Sequence, residues 1–213
     1  MKSQSRGLVV MLAAIVISAS GCGKKDSGTA ACSGGYQIES LCFKSQSNAN
    51  FVFNSGALSG TGSAVAVEPL SEKTDGGRNI SISFSVQDGG SLVLRTFAKN
   101  DLSSGIDIKF SRSSSKLNMS FIQGEAISSA KELEGIDAST EIKLLVDVHN
   151  DESPAHIVVW SGAGSFNKEQ PLHDSEDSGA IQPAAQGVDK YWGIALDKAT
   201  LSKVAVGEPK DEE

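Results

Sequence analysis

Between residues 79 and 87 every second side chain is apolar. Ile80, Ile82, Phe84 and Val86 share one face, and serines or other polar residues take the other. Only a strand with one buried face satisfies this pattern, because a helix would scatter the same residues around its circumference. Leu92, Leu94 and Thr96 repeat it after Asp88-Gly89-Gly90, a turn signal that predicts a hairpin at that point. Ile106, Ile108 and Phe110 alternate next, then Leu117, Met119 and Phe121 across a Ser-rich turn. The same period runs through Ile142, Leu144, Val146 and Val148, through Ile157 and Val159, and through Ile194, Leu196, Val204 and Val206. Phe51, Val52 and Phe53 supply one earlier strand and residues 64–67 another. Short strands divided by turns, with little helical period, predict an all-β antiparallel sandwich with its polar faces outward. Residues 125–133 (EAISSAKEL) read as one or two helical turns, and no repeat of solenoid or propeller length is present.

Composition narrows the function classes. With 39% apolar and 21% charged residues the chain can build a hydrophobic core and is not of disordered type. A formal charge of −7 and no basic cluster exclude nucleic acid as a partner, since phosphates call for Lys and Arg.

Three cysteines require separate roles. Lys2 and Arg6 precede an apolar run over residues 8–17, followed by Ser18-Ala19-Ser20-Gly21 and Cys22. The run is too short to cross a bilayer core of about 30 Å and suits a signal-peptide core instead. Residues 17–22 (ISASGC) resemble the lipobox of bacterial lipoproteins, with Ala19 where that family most often has Leu. The resemblance implies cleavage of residues 1–21, a diacylglycerol on the Cys22 thiol and a fatty acid such as palmitate on its amine. An ordinary cleaved signal or an uncleaved anchor is the alternative. The resemblance also implies a cell-envelope location, and Gly23, where Asp would mark inner-membrane retention in Gram-negative lipoproteins, points to the outer membrane if the source is Gram-negative. Cleavage removes Lys2 and Arg6 and no acid, which moves the formal charge from −7 to −9. In an oxidising compartment Cys32 and Cys42 are expected to form a disulfide, two thiols without a nearby His being a poor metal site. Residues 22–35 are small, polar and Gly/Ser-rich, as in a flexible tether. One domain is expected over residues 36–207, with an acidic tail at 208–213.

The order of strands at residues 82–97 (ISFSVQDGGSLVLRTF), 105–121, 142–160 and 191–206 (YWGIALDKATLSKVAV) resembles the concanavalin A-like lectin/glucanase superfamily. Within it the likeness is to the laminin G-like jelly rolls. This implies a two-sheet jelly-roll sandwich and a surface for a glycan or a protein partner.

Glucanases of that superfamily carry Glu-x-Asp-x-(x)-Glu on one strand, and no such run occurs. Residues 132–137 (ELEGID) have the letters at the wrong spacing. There is no Gly-x-Ser-x-Gly elbow, HExxH, CxxC or P-loop. A non-enzymatic protein is therefore expected. His149 and His156 bracket the loop 150–155 with Asp151 and Glu152, which reads as a polar turn or as a small site. Asp174, Glu176 and Asp177 offer oxygens for Ca²⁺ on an acidic loop, or simply a solvated loop. Trp160, Tyr191 and Trp192 are candidate ligand-binding aromatics, although a Trp at the end of an apolar strand is more often core. Residues 165–190 form a long polar loop of the kind that carries binding residues on a rigid scaffold. The reading that results is a lipid-anchored binding module for a glycan or an envelope protein. A divergent glycan-processing enzyme and a purely structural envelope lipoprotein are its alternatives.

Overall fold

A computed structural model describes residues 32–68, 78–149, 156–162, 170–175 and 190–207. The signal segment, Cys22, most of the tether, Asp151, Glu152, Glu176, Asp177, most of the 165–190 loop and the acidic tail lie outside the described residues.

Thirteen strands build the described chain, with no helix among the described residues. The first four are β1 (Tyr36–Ile38), β2 (Leu41–Ser45), β3 (Asn50–Asn54) and β4 (Ala57–Ala66). The long strand β5 (Arg78–Ala98) leads to β6 (Ile106–Ser113), β7 (Lys116–Gln123) and the short β8 (Ala126–Ile127) and β9 (Lys131–Glu132). Then come β10 (Ile142–His149), β11 (His156–Ser161), β12 (His173–Asp174) and a second long strand, β13 (Tyr191–Gly207). Every pairing is antiparallel.

β5 and β13 run side by side for nearly their whole length, and β5 changes its outer partner half-way while β13 keeps β4. Residues 78–84 of β5 pair with β10, and residues 91–96 pair with β6. One continuous ladder thereby folds over into two facing layers. Phe84 has Ile142 and Leu201 as lateral partners, while Phe110 has Leu92 and Met119. Their rings nevertheless meet at 5.8 Å, which requires contact across the core. At the far side the His173 ring of β12 lies 5.2 Å from the Phe121 ring of β7, so the two layers close there as well. The core between them holds Ile80, Ile82, Leu94, Ile108, Leu144, Val146 and Ile194, all essentially inaccessible to solvent. Each such side chain contributes about 1.5–3 kcal/mol by burial.

Two local expectations are corrected. Asp88-Gly89-Gly90 is not a hairpin turn: β5 continues through it in the same direction. Ser91 faces Asp197 and Val86 faces Ala199, so residues 87–90 bulge opposite Lys198. The glycines serve the bend between layers. Gly89 has φ 71°, and a Cβ on Gly90 would lie 2.6 Å from the Asp197 carbonyl oxygen. Asp88 and Arg112 brace the corner, the former accepting from the Ser114 N–H at 2.7 Å and the latter donating to the Val86 carbonyl at 3.0 Å. Residues 125–133 are not helical either. Their backbone bonds to β7, the Leu133 N–H donating to the Leu117 carbonyl at 2.8 Å, and the Ser128 hydroxyl accepts from the Phe121 N–H at 2.7 Å.

Cys32 and Cys42 form a disulfide with Cα atoms 5.5 Å apart, fixing the turn at 32–35 against β2. A loop this short stabilises by about 2–3 kcal/mol in the chain-entropy account. Reduction is expected to lower the unfolding free energy by about that amount, measured as paired urea titrations with and without reductant.

Candidate functional site

Alternation that buries Leu92, Leu94, Ile106, Ile108, Phe110, Leu117, Met119 and Phe121 sends the intervening residues of β5, β6 and β7 to the opposite face. Register arranges these into rows. Gly193, Arg95, Asp107 and Ile122 lie across one row; Ala195, Val93, Lys109 and Ser120 across the next; Asp197, Ser91, Ser111 and Asn118 across the third.

The first row is fastened internally. Arg95 forks onto the Asp107 carboxylate, Nη2 to Oδ2 being 2.6 Å and Nε meeting Oδ1. Its Nη1 donates to the Leu102 carbonyl. Hydrogen bonding to Asp107 raises the Arg95 pKa above its ordinary value, against the opposing effect of burial. Leu102, at φ 60°, is drawn over Gly193, where an added Cβ would stand 2.9 Å from a Leu102 methyl and 2.5 Å from the Ala64 carbonyl oxygen. Phe97 at φ 49° and Gly105 at φ 124° complete the turn. Asp101, within it, is held below its ordinary pKa by hydrogen bonds from Ser103. Beside the ion pair opens a cavity of about 450 Å³, lined by Arg95, Asp107, Ser103, Ser104, Ile122 and Gln123 among others.

The second and third rows differ in kind. Lys109, Ser111, Asn118 and Ser120 are half-buried by their neighbours on the sheet. Among the described residues none of these four side chains makes a hydrogen bond or ion pair within the protein. An ammonium, two hydroxyls and an amide thus stand in a flat array with donors and acceptors uncommitted.

The candidates from the sequence are dispersed. Trp192 is 1% exposed, and its ring meets Phe43 edge-on at 5.4 Å. Of its two possible roles the structure supports the core one. Tyr191 opens β13, half-buried, opposite Ala98. Trp160 belongs to β11, opposite Leu145 and 8% exposed, in the part of the ladder that continues from the first half of β5. The three aromatics therefore do not form one platform. Asp174 pairs with Val158 in β12 and is half-buried. No three His, Cys, Asp or Glu side chains gather as metal ligands among the described residues. His149 and His156 are register partners at the end of the β10–β11 ladder. Glu132 of the ELEGID segment is tied to Lys116 at 2.7 Å on the surface.

The apolar half of each alternation marks the strands and says nothing of the polar array on their other face. The other half of IDIKF and LNMSF names Asp107, Lys109, Asn118 and Ser120 directly.

No protein-family model and no curated protein sequence matches the chain. Similar solved structures include a carbohydrate-binding module from Bacillus subtilis, at 9% identity and TM-score 0.49, covering 76% of this chain and 92% of that one. A β-glucanase from Bacillus licheniformis has 12% identity and TM-score 0.49, over 80% of this chain and 92% of that one. The exoplasmic/lumenal domain of VIP36, in a calcium- and glycan-bound form, has 10% identity and TM-score 0.49, over 84% and 87%.

Proposed function

We propose that the protein is a lipid-anchored, non-enzymatic module of the cell envelope that binds a glycan on the outer face of β5, β6 and β7. The observation that carries this reading is the uncommitted polar array of Lys109, Ser111, Asn118 and Ser120. Half-buried donors and acceptors on a rigid sheet are matched by sugar hydroxyls, which both donate and accept. An apolar protein surface would leave them unpaired at a cost of about 1–3 kcal/mol each. Of the carboxylates on these rows, Asp107 is held by both Nε and Nη2 of Arg95, which commits it to the scaffold, and Asp197 lies exposed on β13 in the third row. Retaining hydrolysis would need two carboxyl groups about 5–5.5 Å apart, one of them protonated. The lipid anchor rests on the basic start, apolar run and Cys22 of the first residues.

The test is a glycan array probed with the full chain in detergent, followed by titration of the retained glycan. Lys109→Ala and Asn118→Ala are each expected to weaken binding by about three- to tenfold, the loss of one net hydrogen bond. Retention of a glycan that neither substitution weakens would move the site elsewhere, and hydrolysis of a retained polysaccharide would overturn the non-enzymatic reading.

A further inference from the structure

We infer that the edge of the sandwich beside the disulfide, formed by β1 and the β3–β4 hairpin, seats in the interface of the bilayer that receives the lipid on Cys22. This inference rests on the lipid-anchor reading given above.

Three features of this edge converge. First, it is apolar and exposed. Tyr36, Phe51 and Phe53 make one aromatic cluster, the Tyr36 ring standing 5.8 Å from each of the other two. Phe53 keeps 40% and Val52 63% of its surface in solvent. Val67, at 41%, donates its N–H to the Cys42 carbonyl at 2.8 Å. Ile127 is the one other large apolar side chain exposed among the described residues. Second, the β3–β4 hairpin is uncharged, the charged residues that border it in sequence being Glu39 after β1, Lys44 on β2 and Glu68 after Val67. No Asp, Glu, Lys or Arg occurs between Ser45 and Val67, in a chain whose mature side chains total −9. Most faces of such a protein are repelled by anionic headgroups, and an uncharged face escapes that repulsion. Aromatic and aliphatic side chains there gain from leaving water, and tyrosine suits the headgroup level with its apolar ring and polar tip.

Third, the chain leads from this edge to the lipid. Gln37 is the register partner of Cys42, and Tyr36 follows the turn that Cys32 opens. Between Cys22 and Cys32 stand only residues 23–31. A segment of that length can span at most about 35 Å. The disulfide end is therefore the part of the domain held nearest the bilayer. The apolar edge runs on from it through Tyr36, whose ring meets Phe51 and Phe53, to Val52. Val52 stands opposite Ser59, eight residues along the chain from the Val67 beside Cys42. Among the described residues β3 pairs with β4 alone, so Val52 and Phe53 sit on an edge strand there. Unprotected apolar edges are aggregation hazards, and a bilayer covering this one removes the hazard.

The experiment uses the full lipidated chain in vesicles of phosphatidylethanolamine and phosphatidylglycerol. Cys22 carries lipid and Cys32–Cys42 are bonded, so Val52→Cys introduces the sole free thiol, and Lys143→Cys serves as the control on an exposed strand position. Each is labelled with an environment-sensitive fluorophore and exposed to quenchers attached to lipid acyl chains. The label at position 52 is expected to shift to the blue and to be quenched several-fold more strongly than that at position 143. Adding Phe53→Ser is expected to reduce both effects while the chain still floats with the vesicles. Equal, water-like behaviour of both labels on chains that float would overturn the inference and leave the anchor intact. A blue shift at position 52 that persists in detergent micelles and grows with protein concentration would assign the edge to a second copy, overturning it also. Failure to float, or labelling of a thiol in the unsubstituted chain, would overturn the anchor and this inference with it.

Discussion

Replacing Arg95 with alanine is expected to lower the unfolding free energy by about 2–3 kcal/mol and to free the turn from Lys99 to Gly105. Asp107 retains only 12% of its side-chain surface, so removing its partner leaves a largely desolvated carboxylate. The value falls below the 3–5 kcal/mol of a fully buried pair because Arg95 itself keeps 35% exposure. The same guanidinium holds the Leu102 carbonyl, so the turn that draws Leu102 over Gly193 loses its clamp. Arg95→Lys should recover little, since an ammonium lacks the planar fork that meets both carboxylate oxygens and the carbonyl. The combined Arg95→Ala/Asp107→Ala variant should be less damaged than the sum of the single changes, because no unpaired charge remains. Chemical denaturation of the four proteins checks this; strictly additive losses would show that the pair contributes nothing as a pair.

Trp192→Ala is expected to be the more severe change, at about 3–5 kcal/mol, through loss of a large side chain from a packed site. Trp192 is 1% exposed and meets Phe43, which lies next to Cys42 on β2. The cavity would therefore open beneath the strand that the disulfide secures. Trp192→Phe, which keeps an aromatic ring against Phe43, should restore most of the loss. Glycan affinity of the folded protein should be unchanged in both, because the ring reaches neither outer face. A Trp192→Phe protein that is stable but no longer binds would return Trp192 to the ligand site. Thermal unfolding of the two variants, combined with glycan titration, separates the outcomes.

Strand positions were legible wherever one face is apolar: β6, β7, β10 and β11 lie where the alternation of isoleucine, leucine and phenylalanine places them. The first half of β4 was not, because Leu58-Ser59-Gly60-Thr61-Gly62 has no alternating apolar set. Its glycines answer to backbone crowding instead. A Cβ on Gly60 would lie 2.2 Å from the Asn50 carbonyl oxygen, and one on Gly62 would lie 2.4 Å from the Ala49 Cα. Nothing local distinguishes such glycines from loop glycines. Asp88-Gly89-Gly90 is ambiguous for a related reason: the same triplet serves a hairpin or a corner, and only the identity of the opposing strand decides. The Arg95–Asp107 pair was invisible because the two residues meet through strand register, which a reading of one strand at a time does not supply.

What the sequence determined by itself is chemistry that acts within a short stretch of chain. Side-chain alternation sets which residues are strands and which face is buried. The short apolar run over residues 8–17, with Cys22 five residues beyond it, sets the expectation of an anchor. Two cysteines left over set the staple, and Cys32 and Cys42 are indeed bonded. The tertiary structure decided everything that depends on which strand lies beside which. It bent β5 and β13 across two layers, buried Trp192 and separated it from Trp160, and aligned Lys109, Ser111, Asn118 and Ser120 into one array. Long-range pairing costs loop-closure entropy that only the completed core offsets, so its outcome is a property of the whole chain and of no segment within it.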